Sequence, residues 1–226
     1  MGKTRKILGW ARRNGVFGMA LVLIGVLSFR SAVADWNDVP TGSMKPTIQI
    51  GDRIFVNKLA YDLKVPFTRT RLATWGDPER GDIVILASPA DGKRLVKRVV
   101  AVPGDVIAMK HGRLSINGEP LAYDTANPPV EYMEEGVEYF EEDLSGVAHS
   151  VAYTTEPSVS RNFGPVELPD GKYFMMGDNR DRSADSRYFG LADRSAIAGR
   201  VQGVAFSLDH DNHYLPRWSR LLASLD

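Results

Sequence analysis

A chain of 226 residues holds one medium-sized domain, or one domain with an insertion, and is long enough to bury a core. Its 28 Lys and Arg balance 28 Asp and Glu, so no basic excess points to nucleic acid and no net field draws the chain to an acidic surface. It has no cysteine, which excludes disulfides, thiolate metal sites and a Cys nucleophile, and leaves the chemistry to oxygen and nitrogen groups.

In chain order, Lys3, Arg5, Lys6, Arg12 and Arg13 precede an uncharged run, VFGMALVLIGVLSF, at 16–29. Basic residues ahead of an apolar run hold the N-terminus in the cytoplasm and send the downstream chain across the membrane. Two readings are open at this point. The segment has the parts of a signal peptide, including an A-x-A pattern at Ala32-Val33-Ala34. Extended through Ala34, with Arg30 reaching to the headgroups and Trp36 at the interface, it is also long enough for a permanent anchor. Either way the part after Trp36 lies outside the cytoplasm.

Short apolar alternations then follow Gly-Asp pairs, in GDRIFVNK (51–58), GDIVILAS (81–88) and GDVIAMK (104–110), and KYFMM precedes a fourth pair in GDNRD (177–181). Gly supplies turn geometry and Asp caps the turn, so these pairs punctuate strands. Further strands are expected at 93–102, 112–116 and 199–208, where β-branched residues recur with a period near two. The expected fold is mainly β, with residues 105–170 or so inserted into the sheet, because strand-like sequence resumes at 172. The crowded acidic residues of 131–143 are expected to form a solvated surface, with a site for cations or basic partners as the other reading. The tail 215–225 has the spacing of a short amphipathic helix, with Trp218, Leu221, Leu222 and Leu225 on one side.

One stretch, VPTGSMKPTIQIGDRIFVNK at 39–58, places Ser43 between Gly42 and Met44 in a turn pinned by Pro46, just ahead of a strand. A nucleophile is presented in this way, and a serine nucleophile needs a base. His111, His149, His210 and His213 lack strand context and an orienting acid, and DHDNH at 209–213 is a weak metal pattern. Lys97 interrupts LVKRVVAV, where it shares a strand face with Leu95, Val99 and Ala101. Burial there would lower a lysine pKa from about 10.4 by roughly two to three units, a cost of about 3 to 4 kcal/mol. A solvated surface strand, with Lys97 and Arg98 paired to acids, is the other reading of the same window.

The motifs SMKPT (43–47), GDRIFVNKLAY (51–61), KRVVAVPGD (97–105) and GDNRDRSADSRYFG (177–190) occur in this order. Together they resemble bacterial type I signal peptidase, a membrane-anchored Ser-Lys protease. The resemblance covers most of 37–208 and implies that Ser43 is the nucleophile and Lys97 the general base. It implies Thr41 as an oxyanion donor beside the Ser43 N–H, Ser183 as a hydrogen-bond partner that orients Lys97, and ion pairs Asp178–Arg98 and Asp185–Arg187 that hold the active-site strands together. Met44 and its apolar neighbours would lie near the membrane surface. Small residues at the first and third positions before the cut would fit shallow apolar pockets.

The organisation so implied is a cytoplasmic basic segment and transmembrane anchor over 1–36, a β-rich peptidase domain over 37–208 and a polar or amphipathic tail over 209–226. The chain would be a single-pass protein of the bacterial inner membrane with its catalytic domain on the periplasmic, extracytoplasmic side. Its partners would be preproteins bearing signal peptides and the lipid bilayer, with no nucleic acid, no cofactor and no metal. Self-cleavage after Ala34 is a further expectation. A specialised maturation peptidase of a conjugation or secretion system is the rival enzyme, and an anchored non-catalytic binding module is the rival of another class.

Overall fold

The computed structural model describes residues 34–65, 68, 70–156, 161–210 and 212–225, together with helical residues 15, 18–20, 22, 23 and 25–27. Most of the expected cytoplasmic segment and much of the expected anchor lie outside the described residues. Among the described residues no helix is long and apolar enough to cross a membrane.

Three of the Gly-Asp pairs build the same turn. Gly51, Gly81 and Gly104 have φ of 89°, 92° and 87°, a region that favours glycine. The Asp that follows each one accepts the backbone N–H three residues earlier: Gln49 to Asp52 at 2.8 Å, Glu79 to Asp82 at 3.0 Å and Val102 to Asp105 at 2.9 Å. Each turn delivers the chain into a strand: β2 (Asp52–Asn57), β5 (Ile83–Ala87) and β7 (Val106–Lys110). Gly177-Asp178 is different, because its glycine has no positive φ and its carboxylate grips Arg98 beside Ser43 and Lys97.

The main sheet is antiparallel. It combines β2 and β5 with β1 (Ala34–Asp38), β6 (Arg94–Ala101), β14 (Lys172–Met176), β15 (Ala192–Asp193) and the long β16 (Ile197–Asp209), in the order β1-β2-β16-β5-β6-β14-β15. Alternate residues of β5 feed two cores, Ile83 and Ile85 with Met44, Ile48, Ile54 and Val56 on one face, and Val84 and Leu86 with Tyr61, Val99 and Met175 on the other. A strand covered on both faces has an unbroken apolar sequence, which is why IVIL does not alternate. The hairpin of β3 (Asp62–Lys64) and β4 (Arg71–Thr74) stands beside this sheet. The Ala34–Asp35 bond lies inside β1, opposite Asn57 and Val56, so self-cleavage there requires that strand to leave the sheet.

Between β6 and β14 the chain builds two smaller sheets. One joins β7 to β8 (Arg113–Ile116), β9 (Glu119–Pro120) and β13 (Phe163–Glu167). The other is β10 (Ala122–Thr125), β11 (Val137–Asp143) and β12 (Ala148–Thr154). Ile107, Met109, Leu114 and Ile116 pack with Val100, Ala101, Phe174 and Met176, so this section shares a core with the main sheet. The expected solvated surface at 131–143 holds for Glu131, Glu135, Glu138, Glu141 and Asp143, which are exposed, and needs correction at two positions. Glu142 is fully buried against Arg180, and Glu134 is half-buried between two cations.

The tail is not an amphipathic helix. It forms β17 (Leu215–Pro216), a 3₁₀ turn at Trp218–Arg220 and β18 (Ala223–Ser224), with both strands paired to β16. The reason lies in Arg220, whose guanidinium reaches the buried Asp52 carboxylate at 2.5 and 2.9 Å and the Thr47 carbonyl at 3.0 Å. Trp218, Leu221 and Leu222 are left exposed.

Candidate active site

Ser43 lies in a turn, residues 43–47, between β1 and β2. The loop is closed at its base by Val39 N–H to Asp52 O at 3.0 Å and Gly51 N–H to Val39 O at 3.1 Å. Met44 is 1% exposed and packs with Ile48, Ile54 and Ile83. The turn points Met44 into the core, and this packing fixes the half-exposed Ser43 beside it. Gln49 Nε2 donates to the Pro46 carbonyl at 2.9 Å, and Thr47 Oγ1 donates to Asp178 Oδ2 at 2.6 Å. Both tie the turn down from below.

Lys97 comes from β6, paired opposite Val84, and is 2% exposed. Its Nζ donates to Ser43 Oγ at 2.7 Å and to the Val96 carbonyl at 2.9 Å. Burial lowers its pKa to about 8, against the pull of the Asp185 and Asp178 carboxylates and with some help from Arg187. At that value about one Lys97 in ten is neutral at pH 7, compared with a few in ten thousand for a free lysine. Of the two strand readings open in the sequence, the buried one holds.

Arg98, the next residue, points the other way and is also buried. Its Nε and Nη2 grip Asp178 at 2.9 and 2.7 Å, and its Nη1 donates to the Gly81 carbonyl at 2.8 Å. Burial alone would raise the Asp178 carboxyl, but the Arg98 guanidinium holds it below the usual carboxylate range. This two-pronged contact ties β6 to the segment leaving β14.

That segment supplies the opposite wall. Asn179 N–H donates to the Ser43 carbonyl at 3.2 Å, and its Nδ2 donates to the Gly42 carbonyl at 3.1 Å. A Cβ on Gly177 would lie 2.3 Å from both the Ser43 carbonyl and Ser183 Oγ, so only glycine fits. Asp185 caps the short helix Ser186–Phe189, accepts Gly177 N–H at 3.1 Å and pairs with Arg187 at 2.8 Å. The Asp185–Arg187 pair is thus local to one segment and does not bridge two strands as expected. The clamp comes from Arg187 Nη2 donating to the Arg180 carbonyl and from Asp185 holding Gly177.

Ser183 is buried, yet its Oγ has no hydrogen-bond partner among the described residues, so the expected bond to Lys97 is not formed. Thr41 is exposed two residues before Ser43. Of the histidines, only His149 is buried, beside Glu142 rather than Ser43. Among the described residues no group of His, Asp and Glu is arranged to hold a metal ion. Asn179 and the Lys45–Glu134 pair escaped sequence reasoning. The Asn lay within a motif already noted, and nothing in the sequence links positions 89 residues apart.

The sheet curls so that its first strand faces β6. Arg94 Nη1 donates to Asn37 Oδ1 at 2.6 Å, across a cleft of about 300 Å³ lined by Asn37, Val56, Ile85, Ala87, Arg94 and Ala198. Among the described residues the outer edge of β1 is unpaired, and β14 covers β6 only from Arg98 onward. Two open strand edges therefore face each other, with Lys97 on one and Ser43 in the turn that follows the other.

Over residues 10–206 the sequence matches the family described as signal peptidase, peptidase S26. The chain belongs to that family. Signal peptidase I of Pseudomonas fluorescens is 35% identical over 213 residues, covering 88% of this chain and 75% of the relative. Its namesake in Pseudomonas aeruginosa is 35% identical over 218 residues, with the same coverage. Signal peptidase I P of Bacillus subtilis subsp. natto is 32% identical over 212 residues, covering 93% of this chain and 95% of the relative. This S26 peptidase is a serine endopeptidase that cleaves signal peptides.

Proposed function

We propose that Ser43 is the nucleophile and Lys97 the general base of this signal peptidase, acting at the outer face of the cytoplasmic membrane. The observation that carries the assignment is the 2.7 Å contact between a buried, easily deprotonated amine and the hydroxyl. Neutral Lys97 takes the Ser43 proton as Oγ attacks the scissile carbonyl. The resulting ammonium returns that proton to the leaving amine, and the acyl group stays on Ser43. Water then attacks the ester and gives a proton to Lys97, which passes it to the departing Ser43 Oγ as the signal peptide leaves as a carboxylate and the neutral amine is restored. The Ser43 N–H has no acceptor among the described residues and is available for the developing oxyanion, with the exposed Thr41 hydroxyl as second donor. Losing one such donor typically costs roughly 3 to 4 kcal/mol of transition-state stabilisation.

Residues before the cut lie extended between the open edges of β1 and β6, where main-chain hydrogen bonds hold any sequence and small side chains suit a narrow seam. The preprotein is presented from the bilayer. Met19, Val22, Leu23, Val26 and Leu27 of the N-terminal helical residues are half or more exposed, which suits lipid contact. The test uses full-length protein in detergent with a preprotein. Wild type cleaves at the signal-peptide junction, and Ser43→Ala and Lys97→Ala each lose at least about 10³-fold in kcat. Substantial cleavage by either variant contradicts the assignment.

A further inference from the structure

Three consecutive residues of the 177–190 motif pair with the section between β6 and β14. Arg180 holds Glu142 of β11 at 2.6 and 2.7 Å, with both side chains buried. Asp181 accepts Thr154 N–H at 2.9 Å and pairs with Arg161 at 2.5 Å. Arg182 Nη1 donates to Glu134 Oε2. Behind them, Ala152 N–H donates to the Asp178 carbonyl at 2.9 Å. The alternating charges at 180–182 are thus each matched from this section.

Glu134 does more than the others. Its second oxygen, Oε1, accepts from Lys45 Nζ at 2.6 Å, and Lys45 is two residues beyond Ser43. One carboxylate thus joins the turn that presents Ser43 to the loop that carries Ser183. It is itself held in place, since Glu134 N–H donates to Tyr139 Oη at 3.0 Å and Tyr139 Oη donates to the Tyr132 carbonyl at 3.2 Å. Lys45, and after it Arg182, keep the Glu134 carboxyl below its usual range, so it stays a carboxylate at neutral pH.

We infer that Glu134 is a positioning residue for the cleavage reaction, a two-armed clasp by which the section between β6 and β14 sets the Ser43 turn against the 177–190 loop. The inference rests on the Ser43–Lys97 assignment. Both walls of the site already touch through Asn179 and the Ser43 carbonyl at 3.2 Å, and Glu134 closes a second link outside that contact. Near-attack geometry is sensitive to such links, because a small displacement of a nucleophile costs rate rather than binding.

The experiment compares kcat, KM, pH profile and melting temperature of full-length wild type, Glu134→Gln, Glu134→Asp, Lys45→Met and the Glu134→Gln/Lys45→Met double variant on one preprotein, with Ser43→Ala as control. Glu134→Gln is expected to lower kcat about three- to tenfold with little change in KM. The pH midpoint stays put, because neither Glu134 nor Lys45 is among the charges that act on Lys97. Glu134→Asp recovers part of the rate, and adding Lys45→Met to Glu134→Gln costs little more, as expected for two residues sharing one contact. An unchanged kcat in Glu134→Gln, losses that multiply in the double variant, or a kcat loss that merely tracks melting temperature overturns the clasp. Persistent cleavage by Ser43→Ala overturns the underlying assignment instead.

Discussion

Lys97 carries two opposed demands, one from stability and one from chemistry. An ammonium 2% exposed is costly, and a pKa lowered to about 8 from 10.5 corresponds to about 3 kcal/mol of lost solvation in the charged form. The folded-state value lies below the unfolded one, so the penalty is fully present below pH 8 and fades as pH rises toward 10.5. Replacing the amine by an apolar side chain of similar length removes that penalty, less about 1 kcal/mol for each lost hydrogen bond. Lys97→Met is therefore predicted to be inactive yet more stable than wild type by about 1 to 2 kcal/mol at pH 7, with the advantage shrinking by pH 10. Chemical denaturation at the two pH values checks this, and a variant less stable at pH 7 would count against a buried charge. The amine's interruption of an apolar strand was legible in the sequence. Ser183 was not: its hydroxyl lies close to Gly177 and has no hydrogen-bond partner among the described residues, an approach of chain segments that no local signal in the sequence marks.

At the level of elements, the site is a convergence of three connections. The turn after β1 is held by Met44 in the core, β6 brings Lys97 and Arg98 to opposite sides, and the exit from β14 is pinned by Asn179 and Asp185. Gly177 is the tightest point. Gly177→Ala forces the Ser43 carbonyl away from a Cβ that would otherwise sit 2.3 Å from it, and it is predicted to cut kcat by roughly 100-fold with the fold retained. Steady-state kinetics beside circular dichroism measures both, and a fully active variant would show that the two walls can part without cost. Strand positions were well marked, because Gly-Asp turns and period-two alternation are local signals. The tail was misjudged for the same reason. A helical spacing of Trp218, Leu221, Leu222 and Leu225 is local, whereas the pull of Asp52 on Arg220 acts across 168 residues.

Over the whole molecule, the section between β6 and β14 is bound to the rest by charge as well as by its shared core. Burial raises the Glu142 carboxyl, but Arg180, with His149 behind it, holds it far below the usual range, and Asp178 and Asp181 are held low by Arg98 and Arg161. These folded-state values lie below the unfolded ones, so their stabilisation is present above about pH 4 and is lost as pH falls further. Melting temperature is predicted to drop steeply between pH 5 and pH 3, by about the same amount in high salt for the buried pairs. Glu142→Gln, which strands the Arg180 charge, is expected to cost about 3 to 5 kcal/mol at pH 7. The acidic run left a solvated surface and a site for basic partners both open in the sequence, because its partners at 180–182 are brought to it by the fold. The most direct test of the central claim is the pH dependence of kcat/KM for preprotein cleavage by the full-length enzyme. The account predicts a rate that rises with pH through a single midpoint near 8, set by Lys97. A midpoint near 10.5, where a solvated lysine titrates, or one near 6.5, where a histidine does, would contradict it.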